Sequence, residues 1–569
     1  MSLTKFSISL IWCISIIFSG CYEGKKIETA RPGEMATKLR NRIPFLEQIP
    51  ARTPFLYLSY EPLPPEILQQ FKNSAKSMSA VQAAALAAQL DGDASPISEA
   101  ERFAIAFVLE SAKVMARPGS GGLGVGDSPK LAVYGLGLNP IIRVKLLDPD
   151  KAGRFIERVL KRARIKSPAS VARRSDRVWV HKGNEMYHVL GLSAEDLVFS
   201  VHPHSMHDRV MAHIRGQAKA ESSLASKGTI QGMIKARQLG GMGLGFIDVE
   251  ALSQAYLGIG SASLLTSWKA FGLPQISQSE TCQKEGLLLA GGLSRIEFGS
   301  RLDHGDRFTG FIFLQSYKKL MDSVAKLITP LPQRDGQDKT LFSAGVGLKV
   351  GPAIRLFFGA ISTLKPLACP DFASINQAID QLRTVWAGRI AMIPPVLKTL
   401  SGLFLEIDQL NLDQGAAAGP RGAVVLLGDR MDALYTLLKT MVPVLASADV
   451  KADGKTVPLD GANVLKLGSP VAVNLTQSTF ASVMGSGQSS RLNELLNTDK
   501  YGPPKLVGLS YDVGRFSESM QTIVERIAVF QGRPKAAIGH SSKSTLRQFT
   551  LDLYPSGREL VLRSTVQLR

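Results

Sequence analysis

The chain has 569 residues, of which 45% are apolar and 20% charged, and it carries a formal net charge of +19. That length exceeds what one hydrophobic core organises, and the apolar fraction excludes a disordered chain. The positive balance suits anionic partners, but zinc-finger spacings and aromatic-basic interleaving are both missing, so nucleic acid is not an expected partner.

Read in chain order, residues 1–20 have the layout of a secretory signal. Lys5 is their single basic residue, and the apolar run over 6–18 is too short to span a bilayer. Ser19 and Gly20 then stand directly before Cys21. This stretch resembles the lipobox of bacterial lipoproteins, with Phe18 departing from the usual Leu or Val. The resemblance implies cleavage before Cys21, its acylation with palmitate-type chains, and a membrane anchor worth about 0.8 kcal/mol per buried methylene. By the same likeness Tyr22, in place of an Asp, favours the outer over the inner membrane. Residues 21–50, with mixed charge, Pro32 and Gly33, are expected to form a lipidated tether.

The body begins with an aromatic strand over 53–60, followed by helices over 80–90 and 98–115. Gly119 to Gly124 spell G-x-G-x-x-G, but a helix precedes the motif and a strand follows it, the reverse of a phosphate-binding loop. A strand over 141–147 leads to Asp148-Pro149, a helix N-cap with proline at the first turn, and a helix over 150–166. Arg154, Arg158, Lys161 and Arg162 lie off the apolar stripe of that helix and are candidate anion-binding residues. Lys182-Gly183-Asn184 marks a hairpin, 197–201 and 244–249 read as strands, and 295–298 with 308–314 read as a closing hairpin.

After a polar linker over 329–339 the pattern starts again. Pro352, Ile354 and Phe358 echo Pro65, Ile67 and Phe71 in register. The strand 424–427 before Asp429 echoes 141–147 before Asp148, and 509–513 echoes 245–249. The echoes keep their order and their spacing shrinks steadily, as shorter loops in a second copy would produce. The expected fold class is α+β, a tandem repeat of two related domains over 51–328 and 340–569, each a mostly antiparallel sheet with helices packed on one side. This outline resembles uncharacterised bacterial extracytoplasmic proteins and lipoproteins with a duplicated α+β domain.

Of four cysteines, Cys13 would leave with the signal and Cys21 would carry lipid. Cys282 and Cys369 remain as a candidate disulfide in an oxidising compartment, its long loop worth on the order of 4 to 5 kcal/mol. Six of eight histidines fall between 181 and 213. His202 and His204 at a strand end, with His207 opening a helix, form a candidate zinc site, and zinc is the one cofactor the sequence admits. The run resembles the H-x-H-x-D-H motif of metallo-β-lactamase-like hydrolases incompletely, because His207 and Asp208 are in swapped order. No nucleophile elbow, zincin helix or P-loop is present.

These features lead to a non-enzymatic, membrane-anchored envelope lipoprotein that binds or scaffolds anionic envelope components such as anionic lipid, lipopolysaccharide or glycan. The alternatives are a carrier of lipid or another amphiphile between the repeats, and a metal-dependent hydrolase built on His202.

Overall fold

The computed structural model describes residues 44–568 except 63–83, 89, 91–98, 116–122, 126–128, 166–168, 174–175, 184, 218–221, 277, 304–305, 333–339, 410–419, 460–468, 486 and 520–545. The expected signal, Cys21 and most of the tether therefore lie outside the described residues. The tether was expected to reach residue 50, but packing begins earlier. Pro44–Glu47 forms a helical turn, Phe45, Leu46 and Ile49 are buried, and the Leu224 amide donates to the Ile49 carbonyl.

The chain divides into two compact units, Met1–Leu302 and Asp303–Arg569. Strands β1 (Phe55–Ser59), β2 (Leu131–Leu136), β3 (Asn139–Lys145), β4 (Ala169–Arg173), β5 (Asp176–Lys182), β6 (Met186–Leu192), β7 (Asp196–Pro203), β8 (Leu244–Asp248) and β9 (Arg295–Asp303) are built in the first. All pairings are antiparallel, in the spatial order β9-β8-β1-β2-β3-β7-β6-β5-β4. Helices α1 (Glu99–Met115), α2 (Pro149–Arg162) and α3 (His207–Ile214) pack on this sheet, and α4 (Thr229–Arg237), α5 (Val249–Tyr256), α6 (Ala262–Ala270) and α7 (Glu280–Ala290) follow.

The second unit contains β10 (Arg307–Gln315), β11 (Phe342–Val346), β12 (Leu400–Gln409), β13 (Arg421–Gly428), β14 (Val457–Leu459), β15 (Val471–Leu475), β16 (Thr479–Met484), β17 (Val507–Asp512), β18 (Leu546–Ser556) and β19 (Glu559–Leu568). Their order is β14-β15-β16-β13-β12-β11-β17-β18-β19-β10, again antiparallel throughout. Its helices are α8 (Lys318–Leu327), α9 (Val350–Thr363), α10 (Ala373–Met392), α11 (Met431–Met441) and α12 (Ser489–Leu496).

Two sequence expectations change here. The unit boundary falls at 302/303, not in the 329–339 linker, because β10 is laddered to β19 from Arg307↔Gln567 to Gln315↔Glu559. Leu331, inside the expected linker, is buried in the core of the second unit. Helices also pack on both sides of the sheets. In the first unit Trp179 and Leu190 face α2, while Val178 and Val189 face Met211 and Ile214 of α3. In the second, Phe480 packs with Tyr435 of α11, and Ala481 and Val483 with Leu492 and Leu495 of α12. Consecutive apolar residues, such as 424–427, send side chains to both faces, so each face needs its own cover.

The caps follow the sequence. Asp148 accepts the Lys151 amide at 2.9 Å before Pro149 opens α2, whose Phe155, Ile156, Val159 and Leu160 are buried. Asp248, at the end of β8, accepts the Ala251 amide at 2.8 Å. Asp512, at the end of β17, accepts the Arg515 amide at 2.8 Å. Replacing Asp248 or Asp512 with Ala removes one cap and is expected to cost about 1 kcal/mol each. A lowered urea midpoint with an unchanged slope would register that loss.

Candidate functional site

The histidines are assembled by the β5–β6–β7 meander and the start of α3. His181 pairs across strands with His188, and Tyr187 with His202. The fully buried His202 places Nδ1 3.3 Å from Ser200 Oγ and Nε2 3.2 Å from His207 Nδ1. His204 lies on another path. β7 ends at Pro203, and His204 starts a 3-10 turn from which its Nε2 meets the Gly183 carbonyl oxygen at 3.1 Å. The expected same-side placement of His202 and His204 needed the strand to continue one residue further, through His204. The Tyr187 ring fills the space among them, 4.6 Å from His204 and 4.1 Å from His207, centroid to centroid. The three residues therefore do not form the expected zinc site.

Burial, followed by the neighbouring His207, His188 and His204, pushes His202 down to about 3. Burial, followed by His181, lowers His188 to about 4. His213 is also held at about 4, by burial and then by Arg143 and Arg209. It terminates a buried polar chain: its Nε2 lies 2.8 Å from the Tyr134 hydroxyl, which accepts from Arg143 Nε at 3.1 Å, and Arg143 is paired with Asp196. Ser193 Oγ also donates to Asp196. Tyr134, Arg143 and Asp196 are all buried, so this chain holds β2, β3 and β7 in register from inside.

Cys282 and Cys369 are disulfide-bonded, as expected, and a disulfide offers a metal no thiolate. On α2, Arg154, Arg158 and Lys161 are exposed at i, i+4 and i+7, with Arg158 5.8 Å above the Phe155 ring. Arg162, expected to join them, instead donates to Glu110 Oε1 at 2.7 Å.

The feature that sequence reasoning missed is a face of the second sheet. In the register from β13 to β10, one row reads Leu426, Leu403, Val346, Val507, Leu553, Leu562, Ile312. The row beside it reads Val424, Leu405, Ala344, Leu509, Leu551, Ser564, Gly310. A third, from β12, reads Ile407, Phe342, Tyr511, Phe549, Val566, Phe308. Leu426, at the β13 end, is packed partly against the α11 core, but none of these side chains is fully buried, and Leu403 is 48% and Val346 43% exposed. Phe516 stacks on Phe342 and meets Tyr511 at a tilt, over the second and third members of the third row.

The opposite face is the enclosed one. Val425, Phe404, Phe311, Phe313 and Val561 are buried there, together with two ionic groups. Asp552 accepts from Lys505 at 2.7 Å and Arg563 at 2.6 Å. Burial alone would raise its carboxyl, but those donors hold it below its ordinary value. Glu406 is paired with Arg491, which also donates to Glu494 at 2.8 Å. The alternation of apolar with small or polar residues in 507–512 and 546–556 signals two unlike faces, though not which one is open.

No family model matches the chain, and no curated protein and no solved structure matches it.

Two outcomes follow from the buried groups. Asp196→Asn leaves Arg143 buried without its carboxylate and is expected to cost about 3 kcal/mol, read as a fall in urea midpoint. His188, His202 and His213 are neutral in the fold and regain ordinary basicity on unfolding, so the unfolded chain binds more protons between pH 6.5 and about 4. Stability should therefore fall as pH drops through that window, and His213→Gln should flatten the dependence in a thermal melt series.

Proposed function

We propose that this protein is an envelope lipoprotein, anchored through acyl chains on Cys21 to the outer membrane, whose second unit binds the hydrocarbon part of an amphiphile. The observation that carries the reading is the open aliphatic face of β13, β12, β11, β17, β18, β19 and β10. Six strand spacings of about 4.8 Å make it roughly 29 Å wide. Its three rows contain no charged side chain. An acyl chain laid on such a surface gains about 0.8 kcal/mol per methylene removed from water. The net charge of +19 suits an anionic head group.

The reading includes duplication of one α+β domain. It is supported by the strand orders: β9-β8-β1-β2-β3-β7-β6-β5 in the first unit runs parallel, position for position, to β18-β17-β11-β12-β13-β16-β15-β14 in the second. Asp248 and Asp512 then occupy equivalent strand ends and cap the following turn in the same way. In a duplicated pair one copy is free to keep its apolar face open while the other covers it.

A second reading, binding of anionic envelope components, rests on the exposed Arg154, Arg158 and Lys161 of α2. It is compatible with the first, since the two surfaces occupy different units.

The test is photolabelling of the full chain in cell membranes with a diazirine-bearing fatty acid. Adducts are expected in peptides covering 342–346 and 400–409, and Leu403→Glu with Val346→Glu should reduce them severalfold. Both side chains are nearly half exposed and lie off the enclosed face, so the changes leave its packing intact. Absence of adducts there, or labelling unchanged in the double variant, would refute the reading.

A further inference from the structure

The longest helix described is also the least enclosed. α10 runs for 20 residues without a buried side chain among those described. Its apolar residues are not scattered. Ile375, Leu382, Val385, Trp386 and Met392 recur at helical spacing within about a third of a turn of one another, and all five are exposed, Met392 to 81%. Asn376, Gln377, Asp380 and Thr384 occupy the opposite side.

The antiparallel neighbour α9 extends the stripe. Its Phe357, 48% exposed, meets the Trp386 ring edge-on with centroids 5.7 Å apart. The hairpin is held rigid from behind: Arg383 donates to the Ile361 carbonyl at 3.1 Å and to that of Leu364, and Asn376 bridges the backbone of Leu367. The apolar surface is thus presented on a braced pair of helices.

Charge identifies the occupant. Over residues 349–398 the chain carries Lys349, Arg355, Lys365, Arg383, Arg389 and Lys398 against Asp371 and Asp380. Arg389 lies within the apolar stripe and Lys365 is exposed just beyond α9, while the exposed Arg355, two residues from Phe357, stands on another side of α9. An aromatic and aliphatic stripe flanked by cations, on a helix that itself contains Asp380, Arg383 and Arg389, suits a helix lying in the plane of a membrane interface rather than crossing it. A protein partner with an acidic rim would need a matching apolar groove, whereas an anionic bilayer offers both elements to any flat stripe.

We infer that the α9–α10 hairpin is a docking surface for an anionic lipid bilayer, seating Trp386, Phe357 and Met392 among the upper acyl carbons. The inference extends the envelope reading and gives the acyl-binding face a membrane to draw from. It stands on different residues.

The experiment uses the full chain and vesicles of phosphatidylethanolamine and phosphatidylglycerol, brominated on the acyl chains. The Trp386 emission is isolated by subtracting the Trp386→Phe variant. About a twofold loss of that component is expected on brominated vesicles. A smaller loss is expected on phosphatidylcholine vesicles and after Phe357→Glu with Met392→Glu. Attachment through Cys21 alone would bring the protein to the vesicle without quenching Trp386. An unquenched Trp386 component, or quenching unchanged by the double variant, overturns the inference. Equal quenching on neutral vesicles overturns the anionic preference. Leu403→Glu should leave the signal intact, so failure of the acyl-binding reading and failure of this one are separable.

Discussion

Side chains leave a β-strand alternately to its two faces, and in the second unit this parity separates two environments that are unusually assigned. The enclosed face holds Thr309, Asp552, Glu406 and Arg491 alongside Phe311, Phe404 and Val425. The open face is almost wholly aliphatic and aromatic. Burial of the ionic groups is tolerated because each is answered: Asp552 by Lys505 and Arg563, Glu406 by Arg491. Losing either partner would leave a charge desolvated, which ties β18 to β19 in one register and β12 to α12. A fixed register is what keeps all three aliphatic rows on one side, since a slip by one residue would exchange the faces.

The first unit solves the same problem differently. Tyr134, Arg143, Asp196 and His213 form its buried polar chain, and the sheet above β5 and β6 has helices on both sides. Its counterpart of the open rows, around Leu131, Val133, Ile142 and Val144, is buried. Between the two units the strand order is shared, while the degree of cover over strands at the same positions differs. Cover is set by helices and loops, which vary more readily than a hydrogen-bonded ladder.

Local chemistry was legible in the sequence. Asp148-Pro149 announced a cap and a helix, Gly183 a hairpin, and the disulfide followed from counting cysteines against compartment. What depended on distant partners was not legible. Arg307–Gln315 reads as one arm of a local hairpin, but its ladder to residues 559–567 places it with the second unit, and nothing within its own sequence specifies that partner. The zinc expectation at His202, His204 and His207 failed by a single step of secondary structure, because the strand stopped at Pro203 and the turn carried His204 away. The open face escaped notice for a more general reason. Alternation reveals that a strand has an apolar side, and an apolar side is ordinarily taken to be the core.

An open aliphatic sheet face is a hazard in a freely diffusing protein, because it invites aggregation. The burial on the reverse face removes part of that hazard, since Phe404, Val425, Phe311, Phe313 and Val561 pack there, and α11 covers the β13–β16 end of the sheet on the open side. Lys and Arg in excess over the whole surface oppose self-association as well. Anchoring would complete the arrangement by keeping each copy at a lipid surface, where hydrocarbon is available to cover the rows. On the proposed reading the exposed stripe of α10 and the open rows of β11 and β12 are related by cause as well as composition: a face that lipid covers is stable only in a molecule that stays beside lipid.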